Sequence, residues 1–281
     1  MEMINRRQAL YLGLGGTVLA TGLVGGVAIA NAETIQKLAA LHRMEVLLER
    51  MMKDACLVDM GIDTADAAAQ LVSARAQFDE NMNTMMVLVA KLDSKNPRVK
   101  RLQSEIGRKR GKWQLFERQV QKALILAEDP AAPKADITAM RLQKTGLIKA
   151  IDSAYKLVKR DLAKSGAATM GELMAEHQHF GDLFLAERLV EETCAVAYLD
   201  SDEARQRLAM TLMSFTTQLD RHADNPLVHA AVKKLDPVWR AELPAIAEVV
   251  KGGQLGDEAL ARLAVLSRDW ALAVDDAAVS N

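Results

Sequence analysis

Between Leu47 and Val58 the chain reads LLERMMKDACLV, and between Leu185 and Val196 it reads LAERLVEETCAV. Aligned without gaps, the two stretches pair Glu49 with Glu187, Arg50 with Arg188 and Cys56 with Cys194. Two amphipathic helices share leucine and alanine at heptad spacing whatever their origin, but a cysteine in register is not a heptad residue. Further landmarks follow in the same order. Phe78 corresponds to Phe215 after a one-residue deletion, Asn96-Pro97 to Asn225-Pro226, and Trp113 to Trp239 after a further three-residue deletion. The pattern predicts a unit that is repeated along the chain by internal duplication.

That unit is helical. Aromatic residues make up only 4% of the chain, and no window shows the period-two alternation of a strand. From Leu41 the apolar positions Leu41, Met44, Leu48, Met51, Ala55 and Val58 step by three and four, the seam of a helix in a bundle. Helix stops fall at Gly61 to Thr64, Ser94 to Pro97, Glu128 to Asp136, Ser165 to Gly171, Ala223 to Pro226 and Lys251 to Asp257. With a short break after Leu199 they divide the chain from Glu33 into about eight helices. The expected architecture is all-α, two tandem antiparallel four-helix bundles, one over 33–165 and one over 166–281.

Residues 1–32 read differently. Arg6 and Arg7 precede an uncharged run from Gln8 to Ala32, which ends in Ala30, Asn31 and Ala32. The run is long enough to cross a bilayer, but its six glycines lower its hydrophobicity, and its end has the small-residue pattern of signal cleavage. The arginine pair with Leu10 close behind looks like a twin-arginine export motif. The expectation is export to the periplasm, with a tether to the inner membrane if the segment stays uncleaved.

Cutting the chain at Ser165 exposes a charge contrast that the overall net of −1 hides. Glu33 to Ser165 carries 24 Lys and Arg against 17 Asp and Glu; the remainder carries 10 against 19. Opposed halves suggest mutual docking, or a basic region that attracts small anions. Nucleic acid is not expected as a partner, because the chain has no recognition motif.

The first long helix, IQKLAALHRMEVLLERMMKDACLVDMG from Ile35 to Gly61, contains Arg43-Met44 and Arg50-Met51, and the next helix carries Phe78. These features resemble the periplasmic sensor domain of type IV pilus methyl-accepting chemotaxis transducers and of nitrate/nitrite sensor kinases, the PilJ-type or NarX-like domain. The resemblance implies a non-enzymatic, sensor-like module that binds a small oxyanion such as nitrate or nitrite and signals through a separate signalling or membrane protein. Homodimerisation is left open. Arg43 and Arg50 are the candidate anion-binding residues. Seven positions apart on a helix they share one face, separated by about 10 Å along the axis. Glu45 and Glu49 lie close in sequence, so a salt-bridged, solvent-exposed surface is the competing reading. The second repeat has Gly181 opposite Arg43.

No cofactor is expected. Glu176 and His179 form a single ExxH, whereas a di-iron bundle needs two such motifs and two further glutamates, so an exposed polar face is expected there. A metal-carrying bundle is the third function class considered. Cys56 and Cys194, the only cysteines, approach each other if the bundles pack through their first helices. The basic helix RVKRLQSEIGRKRGKW, Arg98 to Trp113, reads as a solvated face or a binding surface. The second function class is an adaptor bundle that associates through its opposed charged halves.

Overall fold

The computed structural model describes residues 26–224 and 230–279. Most of the expected export segment, and the Asn225-Pro226 landmark, lie outside the described residues. Those residues form eight helices: α1 Gly26–Met60, α2 Thr64–Ala90, α3 Pro97–Glu128, α4 Ile137–Ser165, α5 Met170–Leu199, α6 Asp202–Asp224, α7 Ala230–Val250 and α8 Asp257–Val279. No described residue is in a strand. Helices α1 to α4 pack on one another as one antiparallel bundle and α5 to α8 as a second.

The helix boundaries have local causes. Asn96 caps α3 by accepting from the Arg98 N–H, and Pro97 occupies the first turn, where its missing donor costs nothing. Asp136 caps α4 through the Ala139 N–H. Gly166 ends α4 at φ 68°, a left-handed conformation that suits glycine. Thr169 and Glu172 form a reciprocal capping box that starts α5. Asp63 after α1 and Asp200 after α5 are the only described non-glycine residues with positive φ, and they stand at matching corners of the two bundles.

Each bundle is pinned by an aromatic pair. Phe78 of α2 lies against Trp113 of α3, with ring centroids 4.1 Å apart, and Phe215 of α6 lies against Trp239 of α7 at 4.8 Å. The Trp113 indole donates to Asp79 at 2.9 Å, whereas the Trp239 indole N–H is buried without a partner. Buried positions recur in step along the fourth helices as well: Ile137, Met140, Leu147 and Ile151 of α4 match Leu260, Leu263, Trp270 and Val274 of α8. Helix α7 continues through Pro237 and Pro244.

The two bundles meet through their first helices. Helix α1 lies alongside α5 and runs in the same direction, since His42 reaches Glu176, Arg50 reaches Glu187 and Cys56 reaches Cys194. Both helices are therefore packed on nearly every side. From Glu49 to Asp59 every residue but Arg50 is buried, including Glu49, Lys53, Asp54 and Asp59. The expectation of a solvent-exposed, salt-bridged face on α1 is corrected here: Glu45 and Glu49 face the seam between the bundles and are buried.

Candidate functional site at the seam between the bundles

Burying charge is costly unless each ion meets an opposite charge and hydrogen-bonding partners. The seam pairs most of its charges in two clusters, one on each side of the α1–α5 contact, although Asp54 Oδ2, Arg141 Nη1 and both carboxylate oxygens of Glu191 are buried without a hydrogen-bond partner. On the first side Glu187 accepts from Arg50 at 2.9 Å and from Lys53 at 2.7 Å, and Lys53 also donates to Ser267 of α8 at 3.0 Å. Burial pushes the Glu187 carboxyl up, but Lys53 and Arg50 outweigh it and hold its pKa below the usual range. Asp54, 3.7 Å from Lys53, is pushed up to about 7, because burial and the neighbouring Glu187 exceed the attraction of Lys53.

On the second side α4 supplies the cations. Lys144 bridges Glu49 at 2.5 Å and Glu191 at 3.1 Å, and Arg141 bridges Glu192 at 2.6 Å and Glu191 at 3.4 Å. Glu191 stays ionised at low pKa because two cations overcome its burial. Glu49, which shares Lys144 with Glu191, is raised to about 7 by burial. Glu45, a turn earlier, has no cation in contact among the described residues and is raised to about 8, by burial and by Asp152 and Glu49. Under the repeat alignment Lys53 takes the place of Glu191. This explains why the second side needs Arg141 and Lys144, whereas α8 presents Ser267 to Lys53.

Arg43 and Arg50 project toward the same side, as helical spacing predicts. Arg43 is about half exposed and donates to Asp275 of α8 at 3.0 Å. His179 stands 3.4 Å from the same carboxylate oxygen, and against burial, which pushes the Asp275 carboxyl up, the His179 hydrogen bond and then the charge of Arg43 hold that carboxyl below its usual pKa. The negative group that two arginines on one stripe require is therefore supplied by the chain's own Asp275 and Glu187.

The other sequence candidates separate. Glu176 is buried, not on an exposed face: it accepts from the Tyr155 hydroxyl at 2.7 Å and pairs with His42 Nδ1 at 2.6 Å. His179 turns instead to Asp275, so Glu176 and His179 serve different partners. His42 is stacked between Tyr155 and Phe180, at 3.5 and 3.9 Å between centroids, and burial lowers its pKa despite Glu176. Sequence reading missed this cluster because its members lie on three different helices. Among the described residues no three His, Cys, Asp or Glu side chains are grouped to hold a metal. Cys56 and Cys194 meet at the α1–α5 contact as buried free thiols, with the Cys56 sulfur 3.5 Å from the Cys194 carbonyl oxygen.

No family model, curated protein or solved structure matches the chain. The resemblance to PilJ-type and NarX-like domains expected from Arg43-Met44, Arg50-Met51 and Phe78 finds no support in these comparisons. Among the described residues no helix is long and apolar enough to cross a membrane.

Proposed function

We propose that this protein is an exported, non-enzymatic sensor-like module of two duplicated bundles, which takes up a small oxyanion at the rim of the seam and acts through a separate partner. The supporting observation is the meeting of Arg43 and His179 on the carboxylate of Asp275, with Arg50, two turns deeper and bonded to Glu187, adding its charge to the same surroundings. Nitrate and nitrite present planar acceptor oxygens like those of a carboxylate, which suit arginine's fork of donors. Asp275 and Arg43 are both partly open to solvent, so an incoming anion competes with Asp275 at the surface. Such competition loosens the hold of α8 on α1 and α5, the helices through which the bundles meet. That gives a binding event at the rim a mechanical consequence.

The test is thermal stability with saturating nitrate, nitrite or chloride, since a ligand selective for the folded state stabilises it by RT ln(1+[L]/Kd). Nitrate or nitrite should raise Tm where chloride does not. Arg43→Ala should abolish the rise, and Asp275→Asn, which removes the competitor, should enlarge it. Equal responses to the three anions, or a wild-type response from Arg43→Ala, would rule out the site. For the adaptor reading, in which the opposed halves pair with each other or with neighbouring molecules, the first form has support, because Arg50, Lys53, Arg141 and Lys144 meet Glu187, Glu191 and Glu192 inside the molecule, which leaves less charge for neighbours.

A further inference from the structure

The surface charge is sorted by the ends of the molecule rather than by its halves. Because α1 and α5 run in parallel, both bundles turn the same way. One end gathers the start of α1, the α2–α3 corner, the end of α4 and the starts of α5 and α7. At the α2–α3 corner Lys91, Lys95, Arg98, Lys100 and Arg101 are all exposed. Arg160 and Lys164 join them from the last turns of α4, where they line a depression of about 150 Å³ shared with the corner and with Asp93 and Asp161, so that cations outnumber acids at this end without excluding them. Lys233 and Lys234 extend the positive surface onto the second bundle at the start of α7. At the opposite end the corners are acidic, with Asp66 opening α2, Asp202 and Glu203 opening α6, and Asp257 and Glu258 opening α8.

This sorting does not come from helix electrostatics. Acidic residues in the first turns of α2, α6 and α8 complement the positive end of the macrodipole, but Arg98 and Lys100 in α3 oppose it, and neither α3 nor α7 has an acid in its first turn. Nor do ion pairs account for it. Among the described residues the five side chains of the α2–α3 corner make no ion pair or hydrogen bond, whereas Arg205 at the acidic end is held by Asp200 and Asp202. The basic end carries unpaired, like charges that repel each other, an arrangement relieved by an anionic partner.

We propose that this end docks on an anionic lipid surface. Two features favour lipid over other polyanions. The uncharged run Gln8 to Ala32 joins the molecule here, immediately ahead of the described side chains of α1. Met170 and Met174 at the start of α5 are exposed to 64% and 65%, which puts apolar groups beside the cations at the level where headgroups give way to acyl chains. Clustered lysines and arginines beside an apolar segment are drawn to acidic headgroups, each charge adding to the partitioning. In this orientation α1, α4, α5 and α8 stand along the membrane normal, and the acidic end faces away from the anionic surface. The inference is independent of the oxyanion reading.

Full-length protein is sedimented with vesicles of phosphatidylcholine alone and of phosphatidylcholine with one-third phosphatidylglycerol, at low and high salt. The wild type should partition more strongly onto the anionic vesicles, and salt should remove the excess. A variant with Lys91, Lys95, Arg98, Lys100 and Arg101 all changed to glutamine should lose that excess by about tenfold or more, while its binding to neutral vesicles stays the same. Arg205→Gln with Lys251→Gln, at the acidic end, should change neither. Circular dichroism should be identical for all three proteins, since no substitution is at a buried site. Equal wild-type binding to the two vesicle types, or an undiminished excess in the five-site variant, overturns the proposal. So does binding to a short DNA duplex that is tighter than to the anionic vesicles and lost in the variant, which assigns the surface to nucleic acid.

Discussion

The same ion pair has opposite worth at the rim and at the centre of the seam. Arg43 and Asp275 are exposed to 51% and 44%, so water and salt screen their attraction, and Arg43→Ala should change stability by less than about 1 kcal/mol. Glu187 is fully buried and is the common acceptor of Arg50 and Lys53. Glu187→Ala leaves Lys53, itself wholly buried, with only the Ser267 hydroxyl and the more distant Asp54 carboxylate, and should cost about 3–5 kcal/mol in urea denaturation. Similar losses from the two substitutions would mean that the seam is wetter than its geometry implies. Glu45 carries a pH signature. Its folded-state pKa of about 8 lies above the ordinary 4.5, so the folded chain holds a proton that the unfolded chain has released between those values. Stability should therefore fall as pH rises through that window, by up to about 1.4 kcal/mol per pH unit for one such group. Glu49 and Asp54, both raised to about 7, act in the same direction. His42, lowered by burial, acts the opposite way below its ordinary 6.5, so the decline should be clearest above pH 6.5. Glu45→Gln should flatten it, as read from Tm against pH; an unchanged slope would show that Glu45 is not the group that titrates.

Among the elements, α1 and α5 differ from the rest in having no solvent face along their central turns. A helix of ordinary bundle type shows one apolar stripe, and α4 does so until Arg141 and Lys144 interrupt it. Those two residues lie where α4 meets the seam, and they supply the charge that Glu191 and Glu192 need. The connection between α4 and α5 is short; Ser165, Gly166 and Thr169 are exposed, while Ala168 is tucked into the core. Limited proteolysis should cut there before it cuts inside α1, because exposed connectors open more readily than packed helices. The two fragments should nevertheless co-elute on size-exclusion chromatography until denaturant is added, since the α1–α5 seam holds them. Early cleavage within Leu47 to Val58, or immediate separation after the nick, would contradict this arrangement of the helices.

At the scale of the molecule, the seam makes the two bundles one cooperative body. Separating them would expose Glu187, Glu191 and Glu192 without Lys53, Arg141 and Lys144, together with the apolar faces of α1 and α5. Calorimetry of the whole chain should give a single unfolding transition, and the isolated second bundle should lack a stable fold at neutral pH. Two resolved transitions, each close to that of an isolated bundle, would show that the seam contributes little. The charge contrast between halves acts at two levels. Part of it is neutralised inside the seam, and Lys91, Lys95, Arg98, Lys100, Arg101, Arg160 and Lys164 of the first half stand exposed at the end where α1 begins.

The all-helical class, the positions of most helix ends and the matching of LLERMMKDACLV with LAERLVEETCAV are legible in the sequence, because capping, turn residues and heptad spacing are local and act within a few residues. Seeing Arg43 and Arg50 on one face also needs only helical geometry. What those arginines meet depends on Asp275 and Glu187, far away along the chain, and no local pattern relates them. The burial of Glu45, Glu49, Lys53 and Asp54 escaped notice for the same reason: a polar stripe on a helix signals solvent unless a second, charge-matched helix covers it. Only the tertiary structure brings α5 against α1 and Arg141 and Lys144 against Glu191 and Glu192. It does so because desolvated charges are tolerated only where every partner arrives together.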